Sequence, residues 1–464
     1  MAKKISLIGL SIDELYGYRN EKVQTKCLTE ASPAGLIPTQ KAGDEVALTS
    51  VFLSALRLIK EFRRLISDNI NLNIGRKLTS RKVHVFTETK FSGFDSARLD
   101  GLICIEQSGK VKDAALFEMK NCNNTLDSEQ IERYAEIADA FSIPRIITVS
   151  NQFVSKPTQS PVTLSPRKKT TLYHLSWTFI LTLAQILLSD NSLNIEDPDQ
   201  VEIMHEVVRY FENDKSGVKG FTSMKDGWKD LTVRIRKGGH IKPSDPDVIE
   251  AAESWVQEER DMALVLSRKL GILVETGVKK YADNWNARIE NEAKKIAQEN
   301  IIETTLYVAD AASPITVKAD FKKRNVEFQT VLETPRDNFK IRGQVGWIRR
   351  QIKKMEEKNP EIFDLIQNDL SVTLKLKNSA RERISFEKLD QFIQDNKGRI
   401  LSKYGFVLHC DLGQNFGSPT KSIKIIEKSL ILYYQGIVQH LDKWIPPTPE
   451  IKEPDEEPNL SSEA

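Results

Sequence analysis

Three residues have types and spacing that suit metal-assisted hydrolysis, Asp100, Glu118 and Lys120, and the segment that follows adds two polar groups, Gln130 and Tyr134. Asp100 stands just before the apolar run 102–105, and Glu118 and Lys120 close the apolar run 114–117. Continuous apolar runs predict strands buried on both faces, so the charges at their ends gather at one rim of a sheet. Two carboxylates converging there, with no soft ligand nearby, suit a hard, oxygen-seeking cation such as Mg²⁺ or Mn²⁺. Such an ion polarises a phosphoryl oxygen and makes a nucleophile of water near neutral pH. A lysine two residues beyond one ligand adds positive charge beside the water and the phosphate.

The convergence depends on register. With a three-residue loop Ser108-Gly109-Lys110, paired positions sum to 218, Asp100 lies opposite Glu118, and Lys120 shares their face. A two-residue loop would instead pair Asp100 with Phe117 and break the cluster. Gly109 permits either.

The elements that position these residues read as follows. Apolar residues at steps of three and four predict a long amphipathic helix over 45–70. Strands follow at 83–91, 98–106 and 114–120, then a helix over 128–141 and a strand at 145–150. Gln130, Tyr134, Ile137 and Phe141 form one row on that second helix. The order αβββαβ predicts an α/β core in which a meander is followed by a crossover helix and a parallel strand. Each residue taken alone has a plainer reading. Glu-x-Lys triplets are common in a chain that is 28% charged. Asp100-Gly101 also reads as a hairpin turn, Asp127-x-x-Gln130 as a capping box, and Tyr134 as core.

The ordered set Asp100 … Glu118-x-Lys120 … Gln130-x-x-x-Tyr134 resembles the PD-(D/E)xK nuclease superfamily, its RecB-like branch in particular. The αβββαβ order resembles that family's restriction-endonuclease-like core as well. The resemblance implies a Mg²⁺- or Mn²⁺-dependent deoxyribonuclease, with RNA as the alternative substrate. It places metal binding on Asp100 and Glu118, water activation on Lys120, and support of the site and strand on Gln130 and Tyr134. A further acidic residue often completes such sites. Glu88 and Glu45 are the candidates here, and Glu88 ranks first because a neighbouring strand carries it. The alternative is a nuclease-like protein that binds DNA or scaffolds a partner without cutting. Bacterial defence against phage DNA is the setting that the resemblance suggests.

That core covers about a third of 464 residues, a length that suits two to four domains at roughly 100–200 residues each. The expected division is an N-terminal segment 1–44, a nuclease-like domain with helical extension over 45–235, a helical segment 249–300, and a C-terminal α+β domain 301–445. A disordered acidic tail, 446–464, completes it. A linker is expected at 236–248, and residues 249–445 are the expected contact with a second copy or a protein partner. Four cysteines without a CxxC pair argue against a zinc ribbon, an iron–sulfur cluster or a disulfide framework. No signal peptide or membrane span is expected, so the chain reads as cytoplasmic. The net charge of +2 hides an asymmetry: the tail has six acids against Lys452, or −5, which leaves +7 on residues 1–445. The basic run 167–169 reads as a solvated loop in preference to a phosphate contact.

Overall fold

The computed structural model describes residues 6–11, 28–33, 44–75, 81–122, 124–154, 156–189, 195–213, 215–277, 285–335 and 340–445. Asn123, Cys27, most of the segment 1–44 and the tail 446–464 lie outside the described residues. The chain is mixed α/β and divides into two units. One comprises Met1–Asp310, Pro314–Phe328 and His409–Ile431; the other comprises Ala311–Ser313, Gln329–Leu408 and Leu432–Ala464.

The first unit begins with a six-stranded sheet. Its elements are β1 (Leu28–Pro33), α1 (Glu45–Leu58), α2 (Lys60–Asn69), β2 (Lys82–Phe91), β3 (Arg98–Gln107), β4 (Lys110–Met119), α3 (Ser128–Ala140), β5 (Arg145–Ser150), β6 (Thr171–Ser176), α4 (Trp177–Ser189) and α5 (Pro198–Glu212). The strands lie in sequence order, antiparallel from β1 to β4 and parallel from β4 to β6. The expected strands and crossover helix are all present, and β1 and β6 extend the sheet at its two edges.

Side-chain alternation splits the apolar runs between two cores. Ile103, Ile105, Ala115, Phe117 and Met119 face α1, α2, α4 and α5, whereas Leu102, Cys104, Ala114 and Leu116 face α3. Phe52 of α1 centres the first core, with ring contacts to Phe62, Phe117 and Trp177 at 6.3, 6.1 and 5.8 Å. The single helix expected over 45–70 is two. Ile59 is extended (φ −101°, ψ 107°), and Arg63 Nη1 donates to the carbonyls of Leu56 and Arg57, both at 2.9 Å. The apolar periodicity runs unbroken through the bend, because both helices present their apolar faces to one core.

The β3–β4 hairpin combines both loops weighed from the sequence. Its turn has two residues, Ser108 and Gly109, with φ of 54° and 75°, the conformation that twisted hairpins favour. Gln107 pairs with Lys110 and Glu106 with Val111, but Ile105 pairs with Asp113 and Gly101 with Phe117. Lys112 is therefore an extra residue in a bulge. The bulge restores the sum of 218 over the stretch that leads to Asp100.

The first unit continues with α6 (Asp226–Arg236), α7 (Pro246–Leu270), β7 (Glu275–Thr276), α8 (Trp285–Glu299), β8 (Ile301–Tyr307), β9 (Ile315–Asp320) and β10 (Asn325–Gln329). The stretch read as a linker is anchored, since Arg234 pairs with Asp245 and Asp247 at 2.9 and 2.8 Å and α7 starts at Pro246. Trp228 and Trp255 stack at 6.0 Å, and Phe321 and Phe416 pack on Trp228 at 4.6 and 5.3 Å. The expected helical segment 249–300 belongs to this same unit, as do residues 301–310, 314–328 and 409–431 of the stretch 301–445 read as one C-terminal domain.

The second unit holds β11 (Leu332–Glu333), α9 (Ile341–Lys358), α10 (Pro360–Ile366), β12 (Leu370–Leu376), β13 (Arg381–Ile384), α11 (Leu389–Asp395) and most of β14 (Leu401–Asp411). Its strands follow the order β13-β12-β14, with β11 paired to β14. The last long helix is α12 (Pro419–Gly436). Among the described residues, no helix is long and apolar enough to cross a membrane.

Candidate functional site

The site lies where β3 begins and β4 ends. Met119 N–H donates to Asp100 Oδ2 at 2.6 Å, which fixes one carboxylate at the end of β4. Glu118, 1% exposed, lies beside it, and Lys120 Nζ donates to Glu118 Oε1 at 2.6 Å. The Lys120 backbone is held on two sides: its N–H donates to the Val149 carbonyl and its carbonyl accepts from Trp177 Nε1, each at 2.8 Å. Trp177 thus supports the site as well as the core. Its indole N–H is the polar handle that a buried tryptophan must satisfy.

Glu45 is the third carboxylate here, rather than Glu88. It stands in the first turn of α1 behind the N-cap Asp44. Its Oε2 accepts from Asn121 N–H at 2.9 Å and from Asn124 Nδ2 at 3.3 Å, and its Oε1 is 3.7 Å from Lys120 Nζ. Glu88 has φ of 53°, and its carboxylate pairs with Arg98 at 2.5 Å. The left-handed backbone turns the side chain out of the regular alternation that would have aimed it at the rim. The sequence offers a signal for Glu45, an acid directly after an N-cap at the head of the core helix, whereas Glu88 ranks first there only because a neighbouring strand carries it.

Gln130 and Tyr134 meet as their helical spacing predicts. Gln130 Nε2 donates to Tyr134 Oη at 2.7 Å, and Tyr134 donates to the Arg98 carbonyl at 2.9 Å. Gln130 is thus used on the site side of α3, while Asp127 alone caps the helix by accepting from Glu129 N–H. Tyr134 Oη also lies within reach of the Glu118 carboxylate and helps to hold it charged, while the buried Glu118 Oε2 makes no well-formed hydrogen bond.

The loop after Lys120 is clamped by a segment almost a hundred residues away. Asn121 Nδ2 donates to the Ser216 carbonyl at 3.0 Å, and Asn151 Nδ2 donates to the carbonyls of Cys122 and Gly217 at 2.9 and 2.8 Å. A side chain at Gly217, where φ is 86°, would meet Asn121 Oδ1 at 2.1 Å. The asparagines beyond Lys120 therefore shape the rim. The basic run 167–169 faces elsewhere: Lys168 lies 3.7 and 3.5 Å from Glu132 and Glu136 of α3.

The electrostatics follow from three carboxylates around one ammonium. Burial, and then the Glu118 charge, push the Asp100 carboxyl up to about 8. Burial raises Glu118 too, against the opposing pull of Lys120. Burial alone would lower Lys120, but Glu118, Glu45 and Asp100 outweigh it and hold the ammonium above its ordinary value. Among the described residues, no three His, Cys, Asp or Glu side chains are grouped so as to hold a metal ion by themselves. The chain matches no family model, no curated protein and no solved structure.

Proposed function

We propose that the chain is a divalent-metal-dependent nuclease of the PD-(D/E)xK kind that hydrolyses phosphodiester bonds in DNA. The observation that carries this reading is the juxtaposition of the buried Asp100 and Glu118 carboxylates beside Lys120, with no well-formed hydrogen bond at Glu118 Oε2. Unsatisfied buried carboxylate is costly unless a cation or a proton neutralises it. Mg²⁺ needs only one or two protein carboxylates, with water and substrate oxygens filling its other positions. Asp100 and Glu118 fit that role, and Glu45, tied to Asn121, sets the charge around them.

A bound Mg²⁺ or Mn²⁺ supplies Lewis-acid polarisation of the phosphoryl oxygen and acidifies the attacking water. Lys120, held as an ammonium, places positive charge where negative charge grows on the phosphate in the transition state. Tyr134 ties α3 to the start of β3, and Gln130 orients Tyr134, so both position Asp100 rather than touch the reacting atoms. Trp177 and Val149 fix the Lys120 backbone, and with it the direction of its side chain.

The deciding experiment incubates the full chain with linear, circular and single-stranded DNA, with and without Mg²⁺ or Mn²⁺. We expect metal-dependent cleavage that Asp100→Ala, Glu118→Gln and Lys120→Ala each reduce at least about 100-fold, with circular dichroism unchanged. Full cleavage by the folded variants overturns the assignment. Binding by the wild type without cleavage of DNA or RNA would instead make the domain a nucleic-acid holder.

A further inference from the structure

A second place in the first unit carries chemistry that the site above does not use. Lys229, Thr232, Val233 and Arg236 stand at i, i+3, i+4 and i+7 on α6, and so share one face of that helix. This face lines a cavity of about 470 Å³ together with Arg324, in the β9–β10 turn, and the segment Gly413–Pro419 that leads into α12. Among the described residues, none of the three cationic groups makes an ion pair: every such contact that α6 makes runs through Arg234 to Asp245 and Asp247. Asp411 stands at the margin with its carboxylate accepting from Gly413 N–H at 2.9 Å.

The walls are built before any ligand arrives. Trp228 Nε1 donates to the Phe416 carbonyl at 2.7 Å, joining α6 to the 413–419 segment. Leu412 N–H donates to the Arg324 carbonyl at 3.2 Å, joining that segment to the β9–β10 turn. Gly417 lies close enough to Thr232 that an added Cβ would sit 3.4 Å from its methyl group. Three like charges held around one concavity repel one another, and an anion relieves that repulsion. Two guanidinium groups favour an anion with several oxygens in fixed directions, which phosphate provides.

We infer that this cavity receives backbone phosphates of a nucleic-acid strand and so forms a docking point outside the catalytic rim. The strand identification rests on the nuclease reading; the phosphate identification rests on the cavity and its three cations.

The test measures binding of the full chain to labelled single-stranded and duplex oligonucleotides in EDTA, where no metal-dependent turnover occurs, across 50 to 200 mM KCl as an order-of-magnitude range. Each phosphate contact contributes a slope of about −0.9 on duplex to log K against log salt. The triple variant Lys229→Gln/Arg236→Gln/Arg324→Gln is expected to bind roughly tenfold or more weakly, with the slope shallower by about 2 to 3. The pair Lys229→Gln/Arg236→Gln, which leaves the β9–β10 turn intact, should lose about two contacts' worth of slope. Unchanged affinity and slope in both variants overturn the proposal, as does absence of oligonucleotide binding by the wild type. If pyrophosphate stabilises the wild type but not the variants, and no strand binds, the occupant is a small phosphorylated molecule and the strand assignment falls. Wild-type cleavage with Mg²⁺, measured beside wild-type binding in EDTA, separates the two readings. Pocket-dependent binding by a chain that never cuts would sustain the docking site and sink the nuclease.

Discussion

A lysine ringed by three carboxylates has no role as a base at neutral pH, because those charges hold its proton in place. Lys120 is accordingly a fixed positive charge, and the titrating members of the cluster are Asp100 and Glu118, which take up protons as a pair. The folded Asp100 carboxyl binds a proton more tightly than in the unfolded chain, so its contribution favours folding at low pH. That contribution is lost as pH rises from the ordinary carboxylate range through about 8. Asp100→Asn, which keeps an acceptor for the Met119 N–H, should therefore raise the metal-free melting temperature by a few degrees near pH 8 and hardly at all near pH 4. Thermal melts across that range check this, and an equal shift at both ends would refute it. Added Mg²⁺ should stabilise the wild type more as pH rises, because the cation displaces the same proton. Asp100→Asn should lose most of that gain.

At the scale of elements, the chain announced the site and concealed its supports. Buried strands, the crossover helix and the Gln130–Tyr134 row follow from periodicity, which depends on local spacing. The register of the β3–β4 hairpin was legible only as two alternatives, since whether Lys112 bulges depends on packing: Val111 is buried toward α3 and Asp113 pairs with Arg145. The bend at Ile59 was hidden because Arg63 supplies its hydrogen bonds from the next turn, without a proline or glycine to mark it. The rank of Glu88 above Glu45 failed on a single positive φ, which no spacing rule reveals. The Ser216–Gly217 clamp was equally silent, because nothing local to 213–220 mentions Asn121. It yields a direct prediction: Gly217→Ala introduces strain at φ 86° and pushes on Asn121, at a cost of about 1–3 kcal/mol. Urea unfolding measures the cost, and nuclease activity should fall with it. Full stability would show that the loop yields without consequence.

At the scale of the molecule, the first unit also buries charge outside the Asp100–Glu118 cluster. Glu258 has both carboxylate oxygens buried and without a hydrogen-bond partner, and it faces Asp261 of its own helix and Glu427 of α12. Burial, then the Asp261 charge, raises Glu427 to about 7; burial raises Asp261 to about 6, with Arg268 opposing in both cases. These carboxyls also favour the folded state when protonated, so their contribution is lost as pH rises through about 6 to 7. Glu427→Gln should raise the melting temperature more at pH 8 than at pH 5, and the reverse order would contradict the assignment. Charge also acts at longer range. The −5 tail opposes a +7 body, so deleting residues 446–464 should tighten DNA binding at low salt and lose its effect near 0.5 M. Equal affinity with and without the tail at low salt would remove it from the electrostatics.

The clamp on Asn121 has a further consequence, in time. Glu45, Asp100, Glu118 and Lys120 have all been synthesised by residue 120, yet the carbonyl that fixes Asn121 arrives 95 residues later. At about 5–20 residues per second, that separation is roughly 5–20 s of translation. Trp177, which secures the Lys120 carbonyl, arrives during the same interval. A ribosome making this chain therefore delivers the reactive groups early and their restraints late, and the site cannot reach its finished geometry until the polypeptide has grown well past them.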